Sequence, residues 1–306
     1  MIEAELLKRV EGGGLLVGPL LVMLSGGRDS VCMLDLAVRA RGTAEVRALH
    51  VNYGLREEAD ADERHCAELC ERREVALAVE RPRRPKGAGN LQAWAREERY
   101  SAASRLAAET GSTIVTGHTA DDQVETILYR LASSPSRRAL LGMRPRDGRL
   151  ARPLLGTTRE ETTAYCEERG LRWRDDASNE EADYKRNLIR RELVPELERI
   201  HPAARENVLR LATLLREEAE LLDSLVDAEL EGGRGSISQQ RFAALHPALR
   251  RLVLQRLADD AAGRPVAGAA RFADQVASLH RGGSTLDLGG GVRAVLKGGL
   301  LHAEVT

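Results

Sequence analysis

The chain has 306 residues, of which 42% are hydrophobic and 30% charged, a composition typical of a globular protein with one large domain or two. Its formal net charge of −1 gives no overall attraction to a polyanion, and an aromatic content of 3% is too low for a broad base-stacking surface. The sequence contains no apolar run of membrane-spanning length and no recognisable signal peptide, which predicts a cytosolic protein.

The first feature along the chain is a short apolar strand that leads into a glycine-rich loop. A helix and a Gly-rich link are predicted over 1–18, a strand over 20–24, the loop Ser25-Gly-Gly-Arg-Asp-Ser30, and a helix over 31–40. Adjacent glycines let backbone N–H groups converge on one anion, and the helix N-terminus behind them adds a positive dipole end. Asp29 fits beside a phosphate only if a divalent cation lies between them.

The alternative for this loop is a plain Gly-Gly turn in which Asp29 or Ser30 caps the helix. A P-loop of the Walker type is excluded, because the lysine of G-x-x-x-x-G-K-[ST] is absent. The loop is therefore not that of an ordinary P-loop kinase or GTPase.

Strands and helices alternate along the next part of the chain. Strands are predicted over 45–51, 75–79 and 112–116, and helices over 59–73, over 91–109 and from about residue 120 onward. This alternation predicts an α/β fold, with a parallel sheet covered by helices on both faces and ligands at the carboxyl ends of the strands. The Ser25 loop and the run 117–126 both follow strands, so one site is expected to use both.

A cluster of polar side chains follows the strand at 112–116. Its members are His118, Asp121, Asp122 and Glu125. If the helix begins near Ala120, Glu125 lies one turn from both aspartates. Carboxylates at a helix start are caps in one interpretation. Opposite a phosphate-binding loop they are better interpreted as ligands of Mg²⁺ on a triphosphate, because this ion takes one or two carboxylates and keeps several waters.

Basic residues are concentrated in four short runs, at 81–86, 90–100, 137–152 and 184–191. Arg96 and Arg99 belong to the second run and Arg186 to the last, while the first and third runs are predicted to be loops. Arginine suits phosphate because its planar guanidinium binds two oxygens at once. The alternative for each run is surface ion pairing or a solvated loop.

The rest of the chain is predicted to be mostly helical. Helices are predicted over 157–170, with Thr157 or Thr158 as the cap, and over 186–197, 203–231, 239–261 and 269–280, and an extended or looped stretch over 171–179. Strand-like segments are predicted over 285–288, 292–296 and 300–305. The run Gly232-Gly-Arg-Gly235 marks a boundary. We therefore predict a catalytic domain over 1–200, a long linking helix within 201–234, and a small α+β substrate-binding domain over 235–306.

Taken together, these runs resemble a known family. Ser-Gly-Gly-x-Asp-Ser resembles the PP-loop of the N-type ATP pyrophosphatases, which cleave ATP between the α- and β-phosphates. Within that superfamily the chain resembles the tRNA(Ile)-lysidine synthetases, in the short form without a second C-terminal domain. The resemblance is carried by the runs 20–30, 50–56, 90–100, 117–126, 142–155 and 173–195. Tyr53 and Thr119 stand where relatives often carry His or another polar residue, and the segment after 235 resembles the family's small tRNA-binding domain more weakly.

The resemblance implies a Rossmann-like parallel sheet with helices on both faces, the PP-loop ATPase fold, followed by a small, mostly helical C-terminal domain. It implies ATP-dependent ligation of free L-lysine to C2 of the wobble cytidine of isoleucine tRNA with the CAU anticodon. The product is lysidine, formed through an adenylated cytidine with release of pyrophosphate and then AMP. The basic runs 81–86 and 137–152 are then expected to contact tRNA phosphates. No membrane partner is implied, and whether the chain forms a homodimer stays open.

The resemblance also implies roles for individual residues. The ATP phosphates are expected to bind Ser25, Gly26, Gly27, Arg28, Asp29 and Ser30. Mg²⁺ is expected to bind Asp29 and Asp122. Catalysis is expected to depend on Asp29, Arg96, Arg99, His118, Asp121, Asp122 and Arg186. Among these, Asp121 is expected to receive the lysine ammonium or to help remove its proton.

Two other functions compete with this one. The first is another PP-loop adenylating enzyme, such as a tRNA thiolase or an amidotransferase synthetase. Thiolases tend to need paired cysteines, whereas the four cysteines here (Cys32, Cys66, Cys70 and Cys166) include no Cys-x-x-Cys pair and are predicted to be buried free thiols. The second is an RNA- or nucleotide-binding module that has lost catalysis, and the retained polar site residues argue against it.

Overall fold

The computed structural model describes residues 2–55, 58–85, 89–134, 137–174, 184–230, 235–280 and 283–306, without the side chains of residues 137, 138 and 184. The chain divides into two compact units, Met1–Thr213 (unit 1) and Leu214–Thr306 (unit 2). Within the described ranges, no helix is both long and apolar enough to cross a membrane. The division into 1–200, 201–234 and 235–306 stays a prediction.

Unit 1 is built on a mostly parallel sheet. Its strands are β1 (Leu20–Met23), β2 (Val46–Val51), β3 (Ala76–Glu80), β4 (Thr113–Val115), β5 (Arg146–Asp147) and β6 (Leu150–Ala151). They lie in the order β3-β2-β1-β4-β6-β5, and only the β5–β6 pair is antiparallel. Because β1 is central and its residues Leu20 to Met23 are all buried, this sheet has the continuous apolar strands of a doubly covered parallel sheet.

Helices cover both faces of this sheet. The helices of unit 1 are α1 (Ile2–Gly12), α2 (Arg28–Arg41), α3 (Ala59–Arg72), α4 (Leu91–Thr110), α5 (Ala120–Ser133), α6 (Arg137–Leu140), α7 (Arg159–Glu168), α8 (Tyr184–Leu188), a π-helical turn (Ile189–Leu193) and α9 (Val194–Ile200). Helix α10 (Ala204–Glu229) begins in unit 1 and continues into unit 2. Leu20 and Val22 pack in the core that contains residues of α1, α2, α3 and α7, whereas Leu21 and Met23 pack against α4. The alternation of side chains along β1 therefore assigns the two helical layers to opposite faces.

The predicted α/β fold is confirmed, and two local predictions were wrong. Helix α2 begins at Arg28 and not at residue 31, so Asp29 and Ser30 lie in its first helical turn. The segment predicted as a loop up to Arg152 contains α6 and the short strands β5 and β6, and β6 extends the parallel sheet beside β4. Strands this short carry too few residues for an alternation signal, so only the pairing with β4 reveals them.

Unit 2 is a second, smaller fold with its own core. Its elements after α10 are β7 (Ser236–Ser238), α11 (Gln239–Ala244), α12 (Pro247–Ala262), a 3₁₀ turn (Ala269–Phe272), α13 (Ala273–Ala277), β8 (Ser284–Gly289), β9 (Val292–Lys297) and β10 (Leu300–Val305). The strands form an antiparallel sheet in the order β7-β10-β9-β8. Phe242, Val253 and Leu254 are buried in the core between this sheet and the helices. The predicted C-terminal strands are present, and β7 was missed because it has only three residues.

All four cysteines are free and buried, as predicted. Burial is the main cause that raises the pKa of Cys66 to about 12 and that of Cys70 to about 11. A thiol with so high a pKa is protonated at neutral pH and is a poor nucleophile or metal ligand.

Candidate active site

The candidate site lies at the carboxyl ends of β1 and β4. These strands are adjacent, and the strand order reverses between them, which is where open α/β sheets bind ligands. The loops that follow the two strands touch, because a Cβ on Gly117 would lie only 2.5 Å from the carbonyl oxygen of Asp29. Gly117 therefore permits this contact, and the structure brings together the two loops that the sequence analysis assigned to one site.

The loop from Ser25 to Ser30 is held in shape by its own hydrogen bonds. Gly26 has a φ of +88°, and a Cβ there would lie 3.2 Å from Cys66 Sγ, so glycine is needed at this position. The Ser25 and Ser30 hydroxyl oxygens lie 3.1 Å apart. The Gly27 N–H donates to Ser25 Oγ at 3.3 Å, and the Ser30 hydroxyl donates to the Gly27 carbonyl at 2.8 Å. The loop is thus preorganised by these internal contacts.

Helices α2, α5 and α7 begin around the site, and their N-termini differ. In α5 the Asp122 carboxylate accepts the N–H of Thr119 at 2.8 Å in a capping box, and Thr158 caps α7 in the same way. Among the described residues, no side chain caps the first turn of α2, which begins after Gly27. The positive end of α2 can therefore receive an anion, whereas the first turns of α5 and α7 are satisfied by their own capping boxes.

Asp29 is fixed by contacts on two sides. Its carboxylate accepts hydrogen bonds from Thr162 Oγ1 at 2.5 Å and from Arg28 Nε at 3.0 Å, and its side chain is 22% exposed. The Arg28 guanidinium is thus engaged with its neighbour within the loop. Thr162, which belongs to α7, was not named from the sequence, and the roles of Arg28 and Asp29 toward ATP and Mg²⁺ stay predictions.

Asp122 is both a helix cap and a partner of Arg159. Its carboxylate accepts a hydrogen bond from Arg159 Nη2 at 2.6 Å. Burial opposes ionisation of Asp122, but the Arg159 guanidinium and the Thr119 N–H outweigh it and hold its pKa below the usual value. The capping interpretation of this carboxylate therefore holds, and Asp122 carries a negative charge at neutral pH.

Two more carboxylates of α5 lie in buried ion pairs. Glu125 accepts hydrogen bonds from Arg159 Nη1 at 2.9 Å and from Arg190 Nε at 2.7 Å. Asp121 accepts one from Arg205 Nη1 at 2.5 Å and one from the backbone N–H of Arg159 at 2.8 Å. Burial disfavours the charged form of Arg159, but its carboxylate neighbours outweigh this and raise its pKa. We call Asp121, Glu125, Arg159, Arg190 and Arg205 the acidic–basic cluster.

A small cavity opens beside the acidic–basic cluster. Its volume is about 170 Å³, and its lining consists of Asp121, Val124, Glu125, Arg159, Glu160, Arg190, Val194 and Arg205. Carboxylates and guanidinium groups thus face the same small space. Such a lining can hold an ammonium group and a carboxylate group of one small ligand at once.

His118 is neutral at neutral pH. Burial is the main cause that lowers its pKa, to about 4, while Asp122 partly opposes the shift. The nearby guanidinium groups of Arg96 and Arg99 lower it further. Its Nδ1 lies 2.8 Å from Thr116 Oγ1. The imidazole therefore offers a hydrogen bond at this site and not a fixed positive charge.

The arginines predicted from the sequence lie on the same side of the site as His118. The Cζ atoms of Arg96 and Arg99 lie 4.8 and 5.6 Å from the centre of the Tyr100 ring. Arg130 has its pKa lowered chiefly by burial and then by Arg96 and Arg186, which places Arg186 in the same surroundings. The structure therefore brings these four arginines into one region.

Several residues of the site were missed from the sequence. Arg159, Arg190 and Arg205 lie between 34 and 84 residues from the carboxylates they bind, so no local pattern pairs them. A local signal did mark the helix that begins with Arg159, since Thr158 and Glu161 form the capping box at the start of α7. In the basic run at 81–86, Arg81 is ion-paired with Glu63 of α3, and the expected contacts of this run with tRNA stay a prediction. Residues 175–179 of the stretch predicted to be extended or looped, and Lys86 of the first basic run, lie outside the described residues.

The residues present fit Mg²⁺ on a triphosphate. Within the described ranges, no three His, Cys, Asp or Glu side chains form a metal site by themselves. Asp29 and Asp122 are nonetheless partly exposed carboxylates, at 22% and 24%, in the first turns of α2 and α5, the helices that follow the two loops of the site. Mg²⁺ takes one or two protein carboxylates and fills its remaining positions with phosphate oxygens and water, so a preformed cage is not required.

Comparison with known proteins gives a family match. The PP-loop domain model matches residues 7–197. The tRNA(Ile)-lysidine synthase of Thermus thermophilus is 38% identical over 292 residues, which is 92% of this chain and 56% of that protein. The enzyme of the same name from Chromobacterium violaceum is 40% identical over 223 residues, 70% of this chain and 50% of that protein. The chain thus spans about half the length of the curated relatives it matches.

Among solved structures, the chain is similar to a U34-tRNA thiolase from Methanococcus maripaludis. The TM-score is 0.60 and the alignment covers 70% of this chain and 79% of the other. The sequence identity is only 17%, so this likeness shows a shared fold and no more.

Proposed function

The chain belongs to the PP-loop domain family, and from this premise we propose that it is a ligase that forms lysidine in tRNA. The substrates are ATP, free L-lysine and the isoleucine tRNA with the CAU anticodon. The observation that carries the proposal is the similarity to tRNA(Ile)-lysidine synthases along 92% of the chain, in both units. The alternative, a tRNA thiolase activity, is supported only by a likeness of fold.

The reaction has two steps. First, the C2 oxygen of the wobble cytosine attacks the α-phosphorus of ATP, the bond to the bridging oxygen breaks, and pyrophosphate leaves. Then an amine of lysine attacks C2, the C2–O bond breaks, and AMP leaves with the oxygen. The cytosine must leave the anticodon stack to react, which costs little in a single-stranded loop.

The Ser25 loop is the proposed cradle for the phosphates of ATP. The first turn of helix α2 offers backbone donors to the charge that develops as pyrophosphate leaves. The Ser25 and Ser30 hydroxyls, which donate within the loop in this structure, would turn their donors to the phosphates when ATP binds. Arg96, Arg99 and Arg186 supply positive charge, and His118 supplies a hydrogen bond. Asp29 and Asp122 would hold Mg²⁺, which when bound neutralises charge on the phosphates.

The cavity beside the acidic–basic cluster is the proposed site for lysine. Asp121 and Glu125 line it and can receive ammonium groups, and Arg159, Arg190 and Arg205 can receive the carboxylate. Asp122 does not line the cavity and pairs with Arg159 instead. This difference supports separate roles for Asp121, toward lysine, and Asp122, toward the metal.

The predicted division of the chain follows from this function. We assign catalysis to residues 1–200, a linking role to the helix within 201–234, and tRNA binding to residues 235–306. A cytoplasmic location is the one expected for an enzyme that acts on tRNA.

The identity of the products tests the reaction class. The protein is incubated with α-labelled ATP, lysine and the tRNA, and the products are separated by thin-layer chromatography. We expect AMP and pyrophosphate, only with Mg²⁺, and incorporation of labelled lysine into the tRNA. Asp29→Ala is expected to lower the rate by about 10²–10³, comparable to loss of a main electrostatic contact. Release of ADP and phosphate would contradict the PP-loop assignment.

A single-turnover assay tests the separate roles of the two aspartates. Asp122→Asn, which removes the charge but keeps an acceptor for the Thr119 N–H, is expected to abolish adenylation. Asp121→Asn is expected to adenylate tRNA but to transfer lysine slowly, because an amide neither attracts an ammonium nor takes its proton. Label from α-labelled ATP and label from lysine are followed separately. Equal loss of adenylation in both variants would assign both carboxylates to one metal site.

A further inference from the structure

Four arginines lie together on the α4–α5 side of the site without carboxylate partners. They are Arg96, Arg99, Arg130 and Arg152, and we call them the arginine cluster. Within the described part of the chain, no ion pair joins any of them to an aspartate or glutamate. In the acidic–basic cluster, which also borders α5, each guanidinium group is instead paired with a carboxylate. The arginine cluster therefore concentrates uncompensated positive charge.

The burial of Arg152 points to a missing anion. Arg152 is only 6% exposed, and its Nε has no hydrogen-bond partner among the described residues. The Nε of Arg99 is also buried and unpartnered. A buried cation without a counter-charge and a buried N–H without an acceptor both destabilise the folded protein. An anion that binds here supplies what both groups lack.

Backbone contacts hold the cluster in shape. The Arg130 Nη1 donates to the Gly142 carbonyl at 2.8 Å, and the Arg152 Nη1 donates to the Arg144 carbonyl at 2.7 Å. Gln123 fastens the same segment to α5 by bonding both the N–H and the carbonyl of Met143, at 2.7 and 2.9 Å. Arg96, Arg152 and Arg186 lie close enough to Arg130 to lower its pKa further after the effect of burial. Like charges are thus kept together by contacts that do not neutralise them.

The cluster is separate from the loop that receives the triphosphate. The Ser25 loop follows β1, whereas Arg152 follows β6, which is two strands away in the sheet order. Adjacent strands are about 4.8 Å apart, so the two places are about 10 Å apart along the sheet edge. The cluster also holds more positive charge than one transferring phosphate requires. A second phosphate group therefore has a place beside the first.

The basic run at 137–152 does not act as one surface. Arg149 precedes β6 and donates to the carbonyl of Ala107, near the C-terminal end of α4. Arg96 and Arg99 lie near the N-terminal end of the same helix, so Ala107 is about 12–16 Å from them along the axis. Among the described side chains of the run, Arg152 joins the arginine cluster and Arg149 does not, so Arg149 offers a matched control.

We propose that Arg130 and Arg152 of the arginine cluster bind a phosphodiester of the RNA strand whose base enters the site, with Arg130 as the contact and Arg152 as the buried charge behind it, while Arg96 and Arg99 serve the phosphate that is transferred. This inference rests on the proposed function for the identity of the RNA. It assigns the second phosphate to the RNA backbone and not to ATP.

The test measures the binding of RNA and of ATP separately. Fluorescence anisotropy follows a labelled stem-loop RNA with CAU in its loop over a series of salt concentrations, and equilibrium dialysis follows MgATP. Arg130→Gln is expected to weaken RNA binding several-fold and to make the slope of log K against log salt shallower by about 0.7–0.9, the value for one lost phosphate contact. MgATP binding is expected to stay unchanged. Arg130→Lys is expected to keep the wild-type slope, because it keeps the charge.

Arg149→Gln is the matched control, since it removes an arginine from the same segment that also donates to a backbone carbonyl. It is expected to leave RNA affinity, salt slope and MgATP binding unchanged. Two results would overturn the proposal. Weaker MgATP binding in Arg130→Gln with an unchanged RNA slope would assign the cluster to ATP. Equal loss of affinity in the Gln and Lys variants, with the wild-type slope in both, would reduce Arg130 to a support for the Gly142 segment. Neither result depends on whether lysine is incorporated, so failure of the proposed function is seen separately.

Discussion

Units 1 and 2 differ in whether they bury polar groups. Every buried polar or charged residue among the described ones, from Ser30 to Thr162, belongs to unit 1. The buried core of unit 2 is apolar, with Phe242 and Leu254 fully enclosed. Its ion pairs lie at the surface, as between Arg293 and Glu304, whose side chains are 44% and 39% exposed.

Unit 1 thus contains the buried polar groups of the candidate site, whereas unit 2 is stabilised mainly by apolar packing. Burying charge is costly unless it is paired, and unit 1 carries this cost around one edge of its sheet, where two loops and several helix ends meet. Unit 2 gains its stability from apolar packing and carries no comparable polar interior among its described residues. Substitutions in the two units are therefore expected to act through different mechanisms and to be seen with different probes.

Phe242→Ala should produce the largest loss of stability and should confine it to unit 2. Truncating this fully buried ring is expected to cost about 4 kcal/mol, through lost transfer energy and the cavity left behind. Both tryptophans and all five tyrosines lie before residue 214, so their fluorescence reports unit 1 alone. Calorimetry should show one transition shifted to lower temperature, while the fluorescence midpoint in urea stays at the wild-type value. If the calorimetric transition temperature and the fluorescence midpoint in urea both fell, the two units would unfold as one.

Glu125→Gln should have the next largest effect, within unit 1. It removes the negative charge that the guanidinium groups of Arg159 and Arg190 share. Glu125 is only 3% exposed, so water cannot replace this charge. Loss of one partner from a buried ion pair is expected to cost about 3 kcal/mol. The fluorescence midpoint in urea measures it.

The matched control is Glu304→Gln, which makes the same chemical change to the exposed pair with Arg293 in unit 2. Exposed pairs contribute little because water and salt screen them. Its calorimetric transition should shift far less than that caused by Glu125→Gln in unit 1. Equal shifts would mean that burial does not set the contribution of these pairs.

His118→Asn should change how the stability of unit 1 depends on pH. The folded pKa of about 4 lies below the usual value near 6.5, so the unfolded chain takes up the proton first. His118 therefore costs no stability above pH 6.5 and lowers it progressively as the pH falls from 6.5 to 4. The loss is expected to reach at most about 2 kcal/mol, since the ring is partly exposed. Urea midpoints near neutral pH and near about pH 5 should differ less in the variant than in wild type. An unchanged difference would contradict the low pKa.

Much of the fold was readable from local patterns. The apolar run before Ser25 and the alternation of strands and helices predicted the parallel sheet, because side-chain periodicity and glycine positions are properties of neighbouring residues. The caps of α5 and α7 could be predicted from the sequence for the same reason, since a capping box spans only four positions. The edge strands β5 and β6 were not, because two residues give no period and their pairing partners lie elsewhere in the chain.

Local sequence patterns placed the glycine-rich loop and the His118 run at the ends of strands and gave the residue types that they present. The distribution of charge among them depends on the tertiary fold. Arg159, Arg190 and Arg205 pair with the carboxylates of α5 from 34 to 84 residues away, while Arg130 and Arg152 have no carboxylate partner among the described residues. Electrostatic pairing depends on distance in space and on burial, and neither is a property of neighbouring residues.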